Sequence, residues 1–171
     1  MLEISIEDAR WTKVAFAALA ERAAQVVLKA RSLDPEECEI SVLACDDARI
    51  ATLNAEFRGK ETPTNVLSWP AEDLSAEEEG EEPEAPEADF AGEICLGDIA
   101  VSYDTCLREA EEAGKAFDDH VTHLMVHGLL HLLGFDHIRD GDATRMEALE
   151  VEILSGMGIS DPYLLPDPDE D

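Results

Sequence analysis

Five histidines, His120, His123, His127, His131 and His137, are the side chains in this sequence best spaced to do chemistry. The first four are separated by 3, 4 and 4 residues, which places them on one stripe of a single helix. His127 and His131 stand one turn apart, so their rings can converge on one ion. Gly134 follows at the place where a helix ends in a left-handed residue, and glycine adopts that conformation cheaply. His137, just beyond, can fold back with a third nitrogen. Three neutral imidazoles with one position left open are what a catalytic zinc needs. A histidine on an apolar helix face is more often a packed core residue, but three at these intervals around a glycine favour a metal. His120 and His123 have no such turn partner and are expected on the helix surface or behind the ligands.

The string His127-Gly128-Leu129-Leu130-His131-Leu132-Leu133-Gly134-Phe135-Asp136-His137 shares its intervals with the metzincin proteases, whose pattern is His-Glu-x-x-His-x-x-Gly-x-x-His. Gly128 stands where those enzymes carry their general-base glutamate. Without that carboxylate nothing takes the proton from an attacking water and delivers it to an amine, so peptide hydrolysis is disfavoured. Metal-assisted chemistry at a phosphoryl group remains open.

A second stretch, Leu53 to Pro70, holds the one compact basic spot in the chain. Arg58 offers a planar fork suited to phosphate, and Lys60 adds a point charge. Thr62, Thr64, Asn65 and Ser68 supply neutral hydrogen-bonding groups nearby. Alone, this stretch reads as a turn before a strand. Its setting is acidic: 12 Lys and Arg oppose 41 Asp and Glu among 171 residues, for a formal charge of −29. Ten of those acids lie between Glu72 and Asp89. Such a field repels polyanions at long range. Screening over roughly 8 Å at physiological salt still allows a local basic site to act.

The elements that must position these residues alternate in type. Leu2–Ile6 and Glu39–Ala44 alternate as strands, and Thr64–Trp69 and Ile94–Val101 are apolar or β-branched strands. A helix is expected from Thr12, as N-cap, to Arg31, stopped by Asp34-Pro35. Asp46 or Asp47 should cap another through about Phe57. Further helices are expected over Tyr103–Gly114, Phe117–Leu133 and Ala143–Ser155. The class is α+β: a small mixed sheet packed with several helices, the metal site at the end of a core helix. Residues 1–160 are expected to form a single domain. Within it, 72–90 is an acidic mobile insertion with almost nothing to bury, and 161–171 is an acidic tail. Cys38, Cys45, Cys95 and Cys106 form no Cys-x-x-Cys pair and suit buried thiols in a reducing compartment. No apolar run approaches the roughly 20 residues of a membrane span. With no leader-like start either, the expected location is the cytoplasm.

Together the two stretches resemble the bacterial YbeY family of metal-dependent rRNA maturation endoribonucleases. The matching residues are His127-Gly128-x-x-His131-Leu132-x-Gly134-Phe135-Asp136-His137, Arg58 to Pro70, Leu96-Gly97-Asp98-Ile99 before Ser102, and Asp104-Thr105 through Arg108-Glu109-Ala110 to Gly114-Lys115. Phe135 stands where the family often has tyrosine. The resemblance implies a single-domain α+β fold and one zinc ion, Zn(2+), on His127, His131 and His137. It also implies cleavage of single-stranded RNA, with Arg58 as the catalytic arginine that handles the phosphate. The implied role is 16S rRNA 3′-end maturation and late 70S ribosome quality control. Expected partners are the 16S rRNA precursor and the ribosome or small-subunit proteins, with no membrane and no DNA. The attacking group is either water activated by the metal or the RNA's own 2′-hydroxyl. Asp136 is a candidate to orient an imidazole; Asp98 is a weaker candidate for proton transfer and more readily a cap. The alternatives are a non-catalytic zinc-containing ribosome assembly factor and, well behind it, a peptidase.

Overall fold

The computed structural model describes residues 2–163. The chain runs through β1 (Leu2–Ile6), α1 (Arg10–Lys13), α2 (Phe16–Ala30), a 3₁₀ turn at Pro35–Glu37, β2 (Cys38–Cys45), α3 (Asp47–Arg58) and β3 (Val66–Pro70). β4 (Ile94–Ser102), α4 (Tyr103–Ala113), α5 (Phe117–Leu132) and α6 (Asp140–Gly156) follow. The four strands form one sheet in the order β1-β2-β4-β3. β1, β2 and β4 run parallel, and β3 lies antiparallel on the outer side of β4. The expected α+β class and mixed sheet are what the chain adopts.

β2 alternates, burying Cys38, Ile40, Val42 and Ala44 and exposing Glu39 and Ser41, so one face meets the core. β4 is buried at seven of its nine positions, because sheet neighbours flank it and helices cover it. Helix α5 sits at the centre of the packing, against β3, β4, α2, α4 and α6. Val121, Met125, Val126, Leu129, Leu130 and Leu132 are among its buried side chains. A helix surrounded this way offers only its end and one narrow stripe to solvent. The histidines occupy that stripe.

Two positions show why glycine is required. Gly97 has φ +133°, and a Cβ there would lie 2.1 Å from the Trp69 carbonyl oxygen. It sits at the register shift where β4 bulges against β2, which lets β3 close on the other side. Gly134 is treated with the site it shapes.

The structure corrects several expectations. The helix from Thr12 to Arg31 is two helices, broken at Ala15, whose φ is +52°. The cause is Trp11, fully buried among Phe16, Tyr103 and Phe117 with its Nε1–H donating to the Cys45 carbonyl at 2.9 Å. Seating that ring turns the chain, and Thr12 lies inside α1 instead of capping α2. α6 begins at Asp140, before the expected Ala143. Asp46 is the cap of α3, its carboxylate accepting from the Arg49 N–H at 2.9 Å.

The acidic stretch is not without burial. Leu74 is only 4% exposed. Arg139 donates to the carbonyls of Ala76 and Glu77, and Arg145 to that of Gly80. Asp142 accepts from the Gly80 N–H, and Arg31 pairs with Glu82 at 3.1 Å. Residues 74–82 are thereby tied to the start of α6 and the end of α2. Residues 164–171 of the acidic tail lie outside the described residues. Among the described residues no helix is long and apolar enough to cross a membrane. Cys38, Cys45 and Cys106 are buried free thiols, and Cys95 is exposed.

Candidate metal centre

Helix α5 ends in a Schellman turn. The Gly134 N–H donates to the His131 carbonyl and the Phe135 N–H to the Leu130 carbonyl, both at 3.0 Å. Gly134 takes φ +99°, and Phe135 and Leu130 are both buried beneath the turn. The reversal sends Asp136 and His137 back alongside the last turn of the helix. A Cβ on Gly134 would stand 2.7 Å from the backbone carbonyl of Leu74, so the turn also forms the seat for that loop. Phe135 packs under the Arg31 guanidinium, 5.0 Å from its ring centre.

The three predicted ligands meet. One nitrogen each from His127, His131 and His137 all lie within 4.8 Å of one another. Their ring centroids are 4.6, 5.4 and 5.0 Å apart in pairs. The Nε2 atoms of His127 and His131 are separated by 3.1 Å. Two nitrogens at zinc-bond length from one tetrahedral centre would be about 3.3 Å apart. Burial, with the nearby His127 and His137, holds the His131 pKa down at about 4. Its ring is neutral, with a lone pair to give, throughout the neutral range. The donor set fits a metal of zinc type, and among the described residues His127, His131 and His137 form a three-ligand group without a fourth protein donor.

The support beneath His127 was not legible in the sequence. Glu150, on α6, is 0% exposed. Its Oε1 accepts a short hydrogen bond from His127 Nδ1–H, and its Oε2 accepts one from the Tyr163 hydroxyl. Because Nδ1 is committed to the carboxylate, Nε2 is the nitrogen left to face the cleft. Burial works to raise the Glu150 pKa; the imidazoles of His123 and His127 and the Tyr163 hydroxyl outweigh it and hold the group ionised, down to about 2. The signal available was an acid in the middle of the buried stripe of α6, where Asp142, Met146, Glu150, Ile153 and Leu154 follow helical spacing. Such a residue is buried only with partners.

Asp136 does not orient an imidazole. Its Oδ1 accepts from the backbone N–H groups of His137 at 2.6 Å and Ile138 at 3.2 Å, fixing the turn that carries the third ligand. Asp98 lies exposed in the middle of β4, away from the cleft, and neither caps nor faces the site. His123 lines the cleft, and its Nε2 stands 3.8 Å from Glu150 Oε2. His120 instead bonds Glu109 at 3.0 Å, which also accepts from the Asn65 side-chain amide. Asn65 Oδ1 in turn accepts from the Val66 N–H at 2.6 Å, so Asn65 fixes the start of β3.

His123, His127, His131, Asp136 and His137 border one cleft of about 710 Å³. The three predicted ligands line it together with Arg58 from the end of α3, Asn65 just before β3, and Ser68 and Pro70 of β3. Arg58 is exposed, and among the described residues its guanidinium bonds only the Ser68 carbonyl, at 3.4 Å, which leaves most of its donors free of them. Lys60 is exposed and does not line the cleft. Gly128 packs against the sheet, where an added Cβ would meet Ile99 at 3.4 Å and Val66 at 3.5 Å. A side chain as large as glutamate there would crowd Ile99 and Val66.

Residues 2–158 match the model of the family described as endoribonuclease YbeY. A Ruegeria pomeroyi protein named endoribonuclease YbeY is 63% identical over 164 residues, covering 96% of this chain and 98% of its own length. A Dinoroseobacter shibae protein of the same name is 56% identical over 165 residues, covering 96% and 91%. A solution structure of a Thermotoga maritima protein aligns along 100% of both chains with a TM-score of 0.57 and 22% identity, which supports the fold. With its fold, its three converging imidazoles and these relatives in agreement, the chain belongs to the endoribonuclease YbeY family.

Proposed function

We propose that this protein is a zinc-dependent endoribonuclease that cuts single-stranded RNA in the cleft between α3 and the end of α5. The observation that carries the reading is the convergence of His127, His131 and His137 beside an exposed Arg58 in one cleft. These three side chains would hold the ion. A zinc ion so held supplies Lewis-acid polarisation of a phosphoryl oxygen and lowers the pKa of water at its open position.

The protein's own residues do the rest. Arg58 presents free N–H donors to the phosphate and offsets the charge that builds on its oxygens, the kind of term that dominates such sites. Ser68, through its carbonyl, keeps the guanidinium turned along the cleft wall. No carboxylate stands at position 128 to act as general base, which favours attack by the RNA's own 2′-hydroxyl, a nucleophile the substrate already positions. A chain of net charge −29 meets RNA through a local contact and not a broad basic face.

The substrate assigned is the 16S rRNA precursor at its 3′ end, with late 70S quality control as the setting. The ribosome or small-subunit proteins are the partners, the cytoplasm is the location, and residues 1–160 work as one domain. The name the relatives carry, endoribonuclease, and the exposed Arg58 in the cleft support an RNA substrate, the broader part of this assignment. A non-catalytic assembly factor with a structural zinc would call for a fourth protein ligand. The three-histidine group favours the enzyme.

The test compares wild type, His131→Ala and Arg58→Ala for zinc content and for cleavage of unstructured RNA and of a 16S rRNA precursor. Loss of both zinc and cleavage in His131→Ala is expected. Arg58→Ala should keep zinc and cut at least 100-fold more slowly, as for loss of a charge-stabilising donor. Full activity in His131→Ala would remove the metal assignment.

A further inference from the structure

We propose that Glu150 and Tyr163 are positioning residues of the metal centre, a buried carboxylate and its hydroxyl seal that set the zinc affinity of His127. This inference rests on the zinc reading above, and its test separates the two.

Glu150 is a carboxyl side chain with 0% exposure, and among the described residues no lysine or arginine pairs with it. Among the described residues the nitrogen-bearing side chains near it are His123, at 3.8 Å, and His127. A carboxylate held in the core without a permanent cation is costly to keep ionised. Both of its oxygens are nonetheless used, one by His127 Nδ1–H and one by the Tyr163 hydroxyl. With both oxygens so used, Glu150 fixes the His127 ring and leaves its Nε2 facing His131 and His137. A carboxylate behind a ligand histidine fixes the ring's orientation and makes its free nitrogen a stronger donor.

Tyr163 extends this support beyond residue 158, where the family match ends. The segment is not merely adjacent. Lys115 Nζ donates to the Pro162 carbonyl at 3.1 Å, and the Tyr163 ring meets His123 edge-on at 5.5 Å. With its hydroxyl on Glu150, the tyrosine lines the same cleft as the three histidines and occupies Oε2. The segment after α6 thus tunes a centre built by α5 and the turn that follows it.

The experiment measures zinc affinity of the full chain by competition with a chromophoric chelator, the visible absorption of the cobalt(II)-loaded protein, and denaturant unfolding of the metal-free form. Glu150→Gln keeps the shape and one acceptor oxygen but removes the charge; it should bind zinc about 10- to 100-fold more weakly, with a shifted cobalt spectrum. Tyr163→Phe removes one hydrogen bond and should weaken zinc by roughly 2- to 10-fold. Both changes should exceed any explained by metal-free stability. Wild-type zinc affinity and an unchanged cobalt spectrum in Glu150→Gln would overturn the proposal, even if that variant unfolds more easily. Should Glu150→Gln fail to fold, Tyr163→Phe with unaltered affinity and spectrum would overturn it instead. Tight zinc binding by wild type, abolished by His131→Ala, keeps the zinc reading intact in either case.

Discussion

Replacing Gly134 by alanine tests whether the turn after α5 builds the metal site. At φ +99° a Cβ costs on the order of 1–2 kcal/mol in backbone strain. That Cβ would also sit 2.7 Å from the Leu74 carbonyl carbon and oxygen and 2.9 Å from its Cβ. A backbone neighbour cannot rotate away, so either the Leu74 loop or the turn must shift, adding roughly 1–3 kcal/mol of overpacking. The total expected destabilisation is about 2–5 kcal/mol. If the metal-free turn relaxes by moving His137 outward, part of that strain returns when a metal draws the ligand back. Each 1.4 kcal/mol returned weakens zinc about tenfold. Denaturant unfolding reads the first quantity, and chelator competition the second. Gly128→Ala is the matched control, because its Cβ meets only Ile99 and Val66 side chains at ordinary contact distance. Unchanged stability and zinc affinity in Gly134→Ala would refute the claim that this turn places His137.

Other predictions concern the rest of the fold. Gly128→Ala should be neutral or stabilising by up to about 1 kcal/mol, since it removes a helix glycine without a clash; Gly128→Glu should unfold the protein more easily and gain no peptidase activity, checked by urea melts and a casein assay. Native protein treated with a maleimide near pH 8 should label only Cys95, because burial pushes the Cys45 thiol up to about 12 and raises that of Cys106 as well, whereas unfolded protein should label all four. Arg10 bonds Asp8 and pairs with Asp104, and those bonds hold both carboxyls below their usual 3.8. Their folded pKa values are depressed, so the stability they lend is fully present above 3.8 and is lost as pH falls through the lowered values. The melting-temperature gap between wild type and Arg10→Ala should therefore be constant from pH 7 to 5 and close below about pH 3.8.

What the sequence revealed and what it hid follow the range of the interactions involved. The histidine stripe and the Gly134 turn are local, set by helix period and one backbone angle, and they were readable residue by residue. So were Asp46 as a cap and the alternation of β2. Glu150 was hidden because its meaning depends on a partner two dozen residues away on another helix. The break at Ala15 was hidden for a related reason: Trp11 is drawn into a cage of Phe16, Tyr103 and Phe117, and the apolar run from Val14 to Ala20 gives no hint of it. The acidic stretch concealed Leu74 and its partners Arg139 and Arg145, since composition reports solubility and not who is across the groove. Asp136 and Asp98 show the reverse error, in which a plausible acid near a motif serves only the backbone or faces solvent.

X-ray absorption at the zinc edge of the loaded protein bears most directly on the central claim. One zinc per chain is expected, bound by three imidazole nitrogens at about 2.0–2.1 Å and one light oxygen donor, with the imidazole signal lost in His131→Ala. A sulfur neighbour, a fourth protein nitrogen, or a zinc signal that survives in His131→Ala would contradict the account.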